Sequence, residues 1–299
     1  MISSPVGSVI ARREQDRVAR VWGRLRPLAR QLACVAMAVA LASCRKATPA
    51  PAARLTLALP DTIIPAGPFG ASILRGRALL TATRDSLPTH VGNRLRCVSC
   101  HLDEGRRAQG TWVGVYARYP QYRSRAAAIQ TIEGRVNDCF ERSLNGTALP
   151  SDGRDMADIV SYFWWLSRGT AVAAPSARAG SRFAGLTADT AAGRAVFGTI
   201  CSVCHGAAGQ GTAVAPPVWG DSSFNIAAGM ARPSTAAAFI RANMPFNAPG
   251  TLTDQQAFDV AAYVTGQRRP DFPAKIDDWP LGDPPADVPY RTRAGRRAQ

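Results

Sequence analysis

Apolar residues recur at helical spacing at matching places in two stretches of the chain. Met156, Ile159, Val160 and Phe163 form one stripe of this kind. The segment that carries it, Asp158-Ile-Val-Ser-Tyr162-Phe163, has a counterpart 101 residues on in Asp259-Val-Ala-Ala-Tyr263-Val264. Each stretch also opens on a helical segment with an internal glycine, Gly76-Arg-Ala-Leu-Leu80 and Gly193-Arg-Ala-Val-Phe197. Repetition at this distance defines two similar units. The pattern predicts an all-α protein of two tandem helical domains, over residues 70–170 and 186–268, each with long loops.

The rest of the chain reads as connection and extension. Residues 45–69 are rich in Ala and Pro, which suits a tether over 44–69. A second such stretch over 171–185 is expected to link the domains. Residues 269–299 are Pro- and Arg-rich with little periodicity, and are expected to form an irregular tail. At the other end, arginines from Arg12 to Arg30 precede the apolar run Leu32–Leu41, which is too short for a comfortable membrane span. Leu41-Ala42-Ser43-Cys44 follows, so residues 1–43 read as a lipoprotein-type signal with Cys44 as the lipidated first residue. An ordinary cleaved signal is the alternative. Either leads out of the cytoplasm, and the first implies a periplasmic, lipid-anchored protein.

Charge adds a smaller constraint. The formal net charge is +15, of which the seven Arg and two acids of residues 1–43 supply five. The basic residues are nearly all arginine, the lysines being Lys46 and Lys275. Such a surface aids solubility, or steers anionic small molecules or acidic redox partners. No nucleic-acid-binding motif occurs, and no nucleic-acid partner is expected.

Cysteine accounting supplies the chemistry. Of seven cysteines, Cys34 lies in the signal and Cys44 at its end. Four lie in Cys97-Val-Ser-Cys100-His101 and Cys201-Ser-Val-Cys204-His205. In this spacing two thiols can add across the vinyl groups of one haem while the following His binds its iron. A redox dithiol or half a zinc site would need a βαβ context or a second ligand pair, and neither is present. Two covalently bound haems c are expected. Their attachment residues are Cys97, Cys100, Cys201 and Cys204, and their proximal ligands His101 and His205. The fold expected is therefore two class I-like cytochrome c domains, the glycines lying where first and last helices cross.

The sixth ligand decides what each haem can do. In the second unit Met244, in Asn243-Met-Pro245, lies 39 residues after His205, and Met230 is a rival. In the first unit the equivalent place holds Cys139, 38 residues after His101. Met156 and His90 are rivals there, although Met156 belongs to the core stripe. Arg123, Arg125, Arg135, Arg142 and Ser143 surround Cys139 in sequence, and guanidinium groups suit oxyanions. Four-residue spacing puts Arg135, Cys139 and Ser143 on one face of a helix.

With these residues in place, the chain over about 70–268 resembles the dihaem thiosulfate dehydrogenases, also called tetrathionate reductases. The resemblance is carried by Val91-Gly-Asn93, Cys97-Val-Ser-Cys-His-Leu-Asp-Glu-Gly105 and Arg118-Tyr-Pro-Gln-Tyr-Arg-Ser-Arg125. It is carried further by Arg135-Val-Asn-Asp-Cys-Phe-Glu-Arg-Ser-Leu-Asn-Gly146, Pro216-Pro-Val-Trp-Gly220 and Asn243-Met-Pro245. It implies His101 and Cys139 as ligands of a catalytic haem 1, with Arg125, Arg135 and Ser143 lining the substrate pocket. It implies His205 and Met244 at haem 2, the electron exit. Some members carry a lysine beside the distal methionine. Here Asn243 takes that place, so a lysine-for-methionine exchange is not expected. The implied activity is oxidation of two thiosulfate ions to tetrathionate, with electrons leaving to an external acceptor such as a soluble cytochrome. The rival is a dihaem electron carrier without substrate chemistry, from which Cys139 and its arginines set this chain apart.

Overall fold

A computed structural model describes residues 63–170 and 182–296. The signal, Cys44, most of the tether and most of the linker lie outside the described residues. Among those described, no helix is long and apolar enough to cross a membrane.

The first lobe opens with α1 (Pro68–Thr81), which starts on a proline. After the first haem motif, a hairpin of β1 (Gln121–Arg123) and β2 (Ala128–Gln130) precedes α2 (Ile132–Asp138). The strands are antiparallel, with Tyr122 opposite Ile129. The lobe closes with α3 (Arg154–Ser167). The second lobe runs through α4 (Thr190–Val196), α5 (Pro233–Asn243) and α6 (Asp254–Thr265). Its packing reaches back to buried Phe183, which stacks on Phe258.

The internal repeat is visible in three dimensions. α1 crosses α3 at Gly76, where a Cβ would stand 1.9 Å from the Asp158 carbonyl oxygen. α4 crosses α6 at Gly193, where a Cβ would stand 2.1 Å from the Asp259 carbonyl oxygen. Neither crossing admits a side chain. Carboxylates hold both: Asp158 accepts from Ser72 and pairs with Arg75, while Asp259 accepts the Asp189 N–H at 2.8 Å. Tyr162 and Tyr263 hold equivalent places, edge-on to Trp112 and Trp219. The predicted stripe is core: Met156, Ile159 and Phe163 are buried and Val160 packs against them.

The lobes share packing. Phe224, Ala228 and Ala231 of the second lobe sit in the hydrophobic core of the first, with Phe140 and Leu144. Asparagines line this seam because their amides can satisfy backbone groups buried there. Asn225 donates its N–H to the Arg142 carbonyl at 3.1 Å and its amide to the Glu141 carbonyl at 2.9 Å. Asn93 and Asn145 both donate to the Ser223 carbonyl.

Among the described residues the hairpin is the one sheet, and it was not expected from the pattern. Its strands are three residues each, too short to show alternation. The tail is irregular, with a 3-10 turn at Pro273–Asp277, and it is laid against both lobes.

Candidate active site

Each haem motif presents its histidine in the same way. His101 Nδ1 lies 2.6 Å from the Gly110 carbonyl oxygen, and His205 Nδ1 lies 2.8 Å from that of Pro216. A carbonyl only accepts, so Nδ1 carries the hydrogen and Nε2 keeps its lone pair for a metal. Trp112 stacks on the His101 ring with centroids 4.8 Å apart. Burial pushes the Cys97 and Cys100 thiols up to about 12 and Cys201 up to about 11. They are neutral thiols, and a thioether would replace them without stranding a charge. Thr83 orders the first motif by accepting the Cys97 N–H at 3.1 Å while its hydroxyl donates to Leu80. These features fit a haem at each motif.

Cys139 starts a π-helical turn, Cys139–Ser143, at the end of α2. Such turns interrupt regular helices and recur at functional sites. The turn is closed by the Leu144 N–H on the Cys139 carbonyl at 3.0 Å. Arg135 Nη1 donates to Cys139 Sγ at 2.9 Å. Burial alone would raise the Cys139 thiol. The Arg135 charge, with the nearby His101 ring, outweighs it and brings the thiol down to about 7. Arg135 is raised in return, first by the Cys139 charge. The structure therefore brings Cys139, Arg135 and His101 together.

The rivals are elsewhere. Met156 is 1% exposed in the core of the first lobe. His90 leans on the Thr147 carbonyl at 3.2 Å. Met230 packs between the core of the first lobe and a cluster of the second.

The remaining pocket candidates are held by protein partners. Arg125 sits in the hairpin turn, donates from Nη1 to the Ala227 carbonyl at 2.7 Å, and lies over Trp279. Burial lowers its pKa. Ser143 accepts the Asn93 amide on its carbonyl at 2.8 Å. Arg142 is taken up by Asp278. Tyr119, to which the sequence assigned no role, is close enough to Cys139 and Arg135 to feel both charges, and burial raises its hydroxyl. The sequence signals for it were its place just ahead of the arginines and within a segment that carries the resemblance.

In the second lobe, Met244 follows α5 directly, its N–H on the Ile240 carbonyl at 2.8 Å. The Asn243 side chain folds back to the Phe239 carbonyl at 3.2 Å and is buried in its own helix.

Two glycine-crossed helical lobes, each presenting a Cys-x-x-Cys-His turn with a pre-oriented histidine, define a tandem cytochrome c protein. Residues 89–172 match the SoxA/TsdA cytochrome c domain and residues 190–267 the cytochrome c family. The thiosulfate dehydrogenase of Psychrobacter arcticus is 44% identical over 245 residues, 78% of this chain and 74% of that one. The Allochromatium vinosum thiosulfate dehydrogenase is 42% identical, covering 72% of this chain and 85% of its own. A solved structure of thiosulfate dehydrogenase TsdBA from Marichromatium purpuratum superposes with TM-score 0.64 at 35% identity, covering 74% of this chain and about half, 51%, of that longer one. This chain belongs to the thiosulfate dehydrogenase family.

Proposed function

We propose that this protein oxidises two thiosulfate ions to tetrathionate at haem 1 and passes the two electrons through haem 2 to an external acceptor. The observation that carries this reading is Cys139, held by Arg135 at 2.9 Å on the same site as His101. A plain carrier has no need of a thiol and a guanidinium there, and the relatives named thiosulfate dehydrogenase support the enzyme reading.

Haems bound through the two pairs of cysteines would supply one-electron acceptors at two potentials, lower with a thiolate ligand and higher with a methionine. Cys139 Sγ forms a bond to the outer sulfur of one thiosulfate, and this oxidation releases two electrons. A second thiosulfate attacks that same sulfur. The bond to Cys139 breaks, tetrathionate leaves, and Cys139 returns as thiolate. Arg135 stabilises negative charge on Sγ before and after, and Arg125 and Ser143 are the residues proposed to take the sulfonate oxygens. The reverse sequence reduces tetrathionate.

The test is thiosulfate-dependent reduction of an artificial acceptor by the purified haem-loaded protein. No activity, with both haems present and redox-active, would favour the electron carrier. The signal-like N-terminus supports export, with Cys44 as a lipid anchor. Mass spectrometry of the membrane fraction should find Cys44 diacylglyceryl-modified; a soluble mature protein starting elsewhere would refute the anchor.

A further inference from the structure

Residues 269–296 lie beyond both matched cytochrome segments. They are nonetheless fixed to the Cys139 turn, and by one carboxylate. Asp278 is 4% exposed. It takes Arg142 in a bidentate pair, Nη1 on Oδ2 and Nη2 on Oδ1, both at 2.8 Å. The Tyr290 hydroxyl donates to Oδ2 at 2.6 Å, and Arg125 Nη1 stands 3.9 Å from the same oxygen. The next residue, Trp279, lies against the Arg125 guanidinium at 4.6 Å and donates its N–H to the Arg125 carbonyl at 2.8 Å. Phe272 takes the face of Arg142 at 4.7 Å. Two arginines that flank Cys139 in sequence are thus each held by an aromatic ring and by a shared carboxylate.

A tail that needed only to be stapled down would do as well with apolar residues, since a buried ion pair costs desolvation. The carboxylate also removes positive charge from a site read as taking an anion. What it supplies is orientation, because a bidentate pair fixes the plane of the guanidinium. We propose that Asp278 is a positioning residue for the haem 1 site: it aims Arg142 and Arg125 beside the Cys139 turn and sets the charge that the site presents. The inference rests on haem 1 being the thiosulfate site.

The experiment compares three variants of the haem-loaded full-length protein. Asp278→Asn removes the charge. Asp278→Glu keeps the charge on a longer stem. Asp287→Asn loosens the same tail elsewhere, because Asp287 accepts from Arg232 at 2.8 Å and from the Ser234 N–H at 2.9 Å. Asp278→Asn should lower kcat/KM for thiosulfate about ten-fold, mainly through KM, and raise the haem 1 potential while haem 2 stays put. Asp278→Glu should keep the haem 1 potential yet still raise KM. Asp287→Asn should lower Tm and move neither. Equal shifts from Asp278→Asn and Asp287→Asn would make Asp278 a mere tail anchor and overturn the proposal, and so would a wild-type KM in Asp278→Glu. A wild-type protein inactive on thiosulfate, with the haem 1 potential still moving only in Asp278→Asn, would sink the substrate reading and leave the positioning role standing.

Discussion

Arg135 Nη1 donates to Cys139 Sγ at 2.9 Å, across the point where α2 widens into its π-helical turn. The arginine and the thiol hold each other's charge, and each is shifted toward its ionised form by the other. A hydrogen bond to a charged group is typically worth about 1.5–3 kcal/mol. Arg135→Ala should therefore cut kcat/KM for thiosulfate roughly ten- to a hundred-fold. Arg135→Lys keeps the charge but loses the rigid fork, so it should fall between. Steady-state kinetics check both, and wild-type kcat/KM in Arg135→Ala would place substrate capture elsewhere.

Met244 lies at the end of α5 in a lobe whose His205, the proposed proximal ligand, is already oriented. Met244→Gly should abolish any near-infrared methionine-to-iron charge-transfer band and lower the haem 2 potential. Turnover should slow, because electron exit becomes uphill. Unchanged spectra and potentials would reject Met244 as ligand. Asn243 cannot substitute without leaving the Phe239 carbonyl that holds it.

Much of this site was legible because haem attachment needs fixed spacing. Two thiols and an imidazole that share one macrocycle must be close in sequence, so Cys97 to His101 and Cys201 to His205 stand out at once. Gly76 and Gly193 were legible for a related reason: the repeat places each where the first and last helices of its lobe cross. The role of Asp278 was not legible. It meets Arg142 across 136 residues, from a segment with no periodicity, and nothing local marks an aspartate as a partner. For the same reason Arg142 looked available to an anion, although both its Nη groups are engaged. Asn93 and Asn145 lie in segments that carry the resemblance, but their place at the seam, like that of Asn225, was silent, because their work is to satisfy carbonyls brought near only by the fold.

The helix crossings make a stability prediction that does not depend on chemistry. Gly76→Ala would put a methyl 1.9 Å from the Asp158 carbonyl oxygen, and Gly193→Ala one 2.1 Å from that of Asp259. The helices must separate, and overpacking of this kind typically costs about 1–3 kcal/mol, occasionally more. Gly198→Ala is the control, because nothing lies within 4 Å of its added Cβ. Thermal unfolding of the haem-loaded proteins should show Tm lowered for the first two variants and not for the control. Equal Tm values would mean the crossings are looser than the structure has them.

Cys139 carries the largest consequence. The sulfur has two roles in the proposed reaction, iron ligand at rest and nucleophile in turnover, and both need thiolate character. Arg135 supplies that by charge and by a direct hydrogen bond. Cys139→Ala leaves both Cys-x-x-Cys-His motifs untouched, so the protein should still carry two covalent haems. The haem 1 spectrum should shift toward five-coordinate or water-bound iron, the haem 2 spectrum should not change, and thiosulfate oxidation should be nearly lost. Cys139→Met separates the two roles. A thioether can bind iron and should raise the haem 1 potential, but it has no thiolate to bond with thiosulfate. That variant should be six-coordinate and inactive. Full activity in Cys139→Ala would end the nucleophile mechanism and leave haem 1 to be served by another ligand. Activity in Cys139→Met but not Cys139→Ala would mean that the sulfur matters only as a ligand, and that both thiosulfate ions react without ever being joined to the protein.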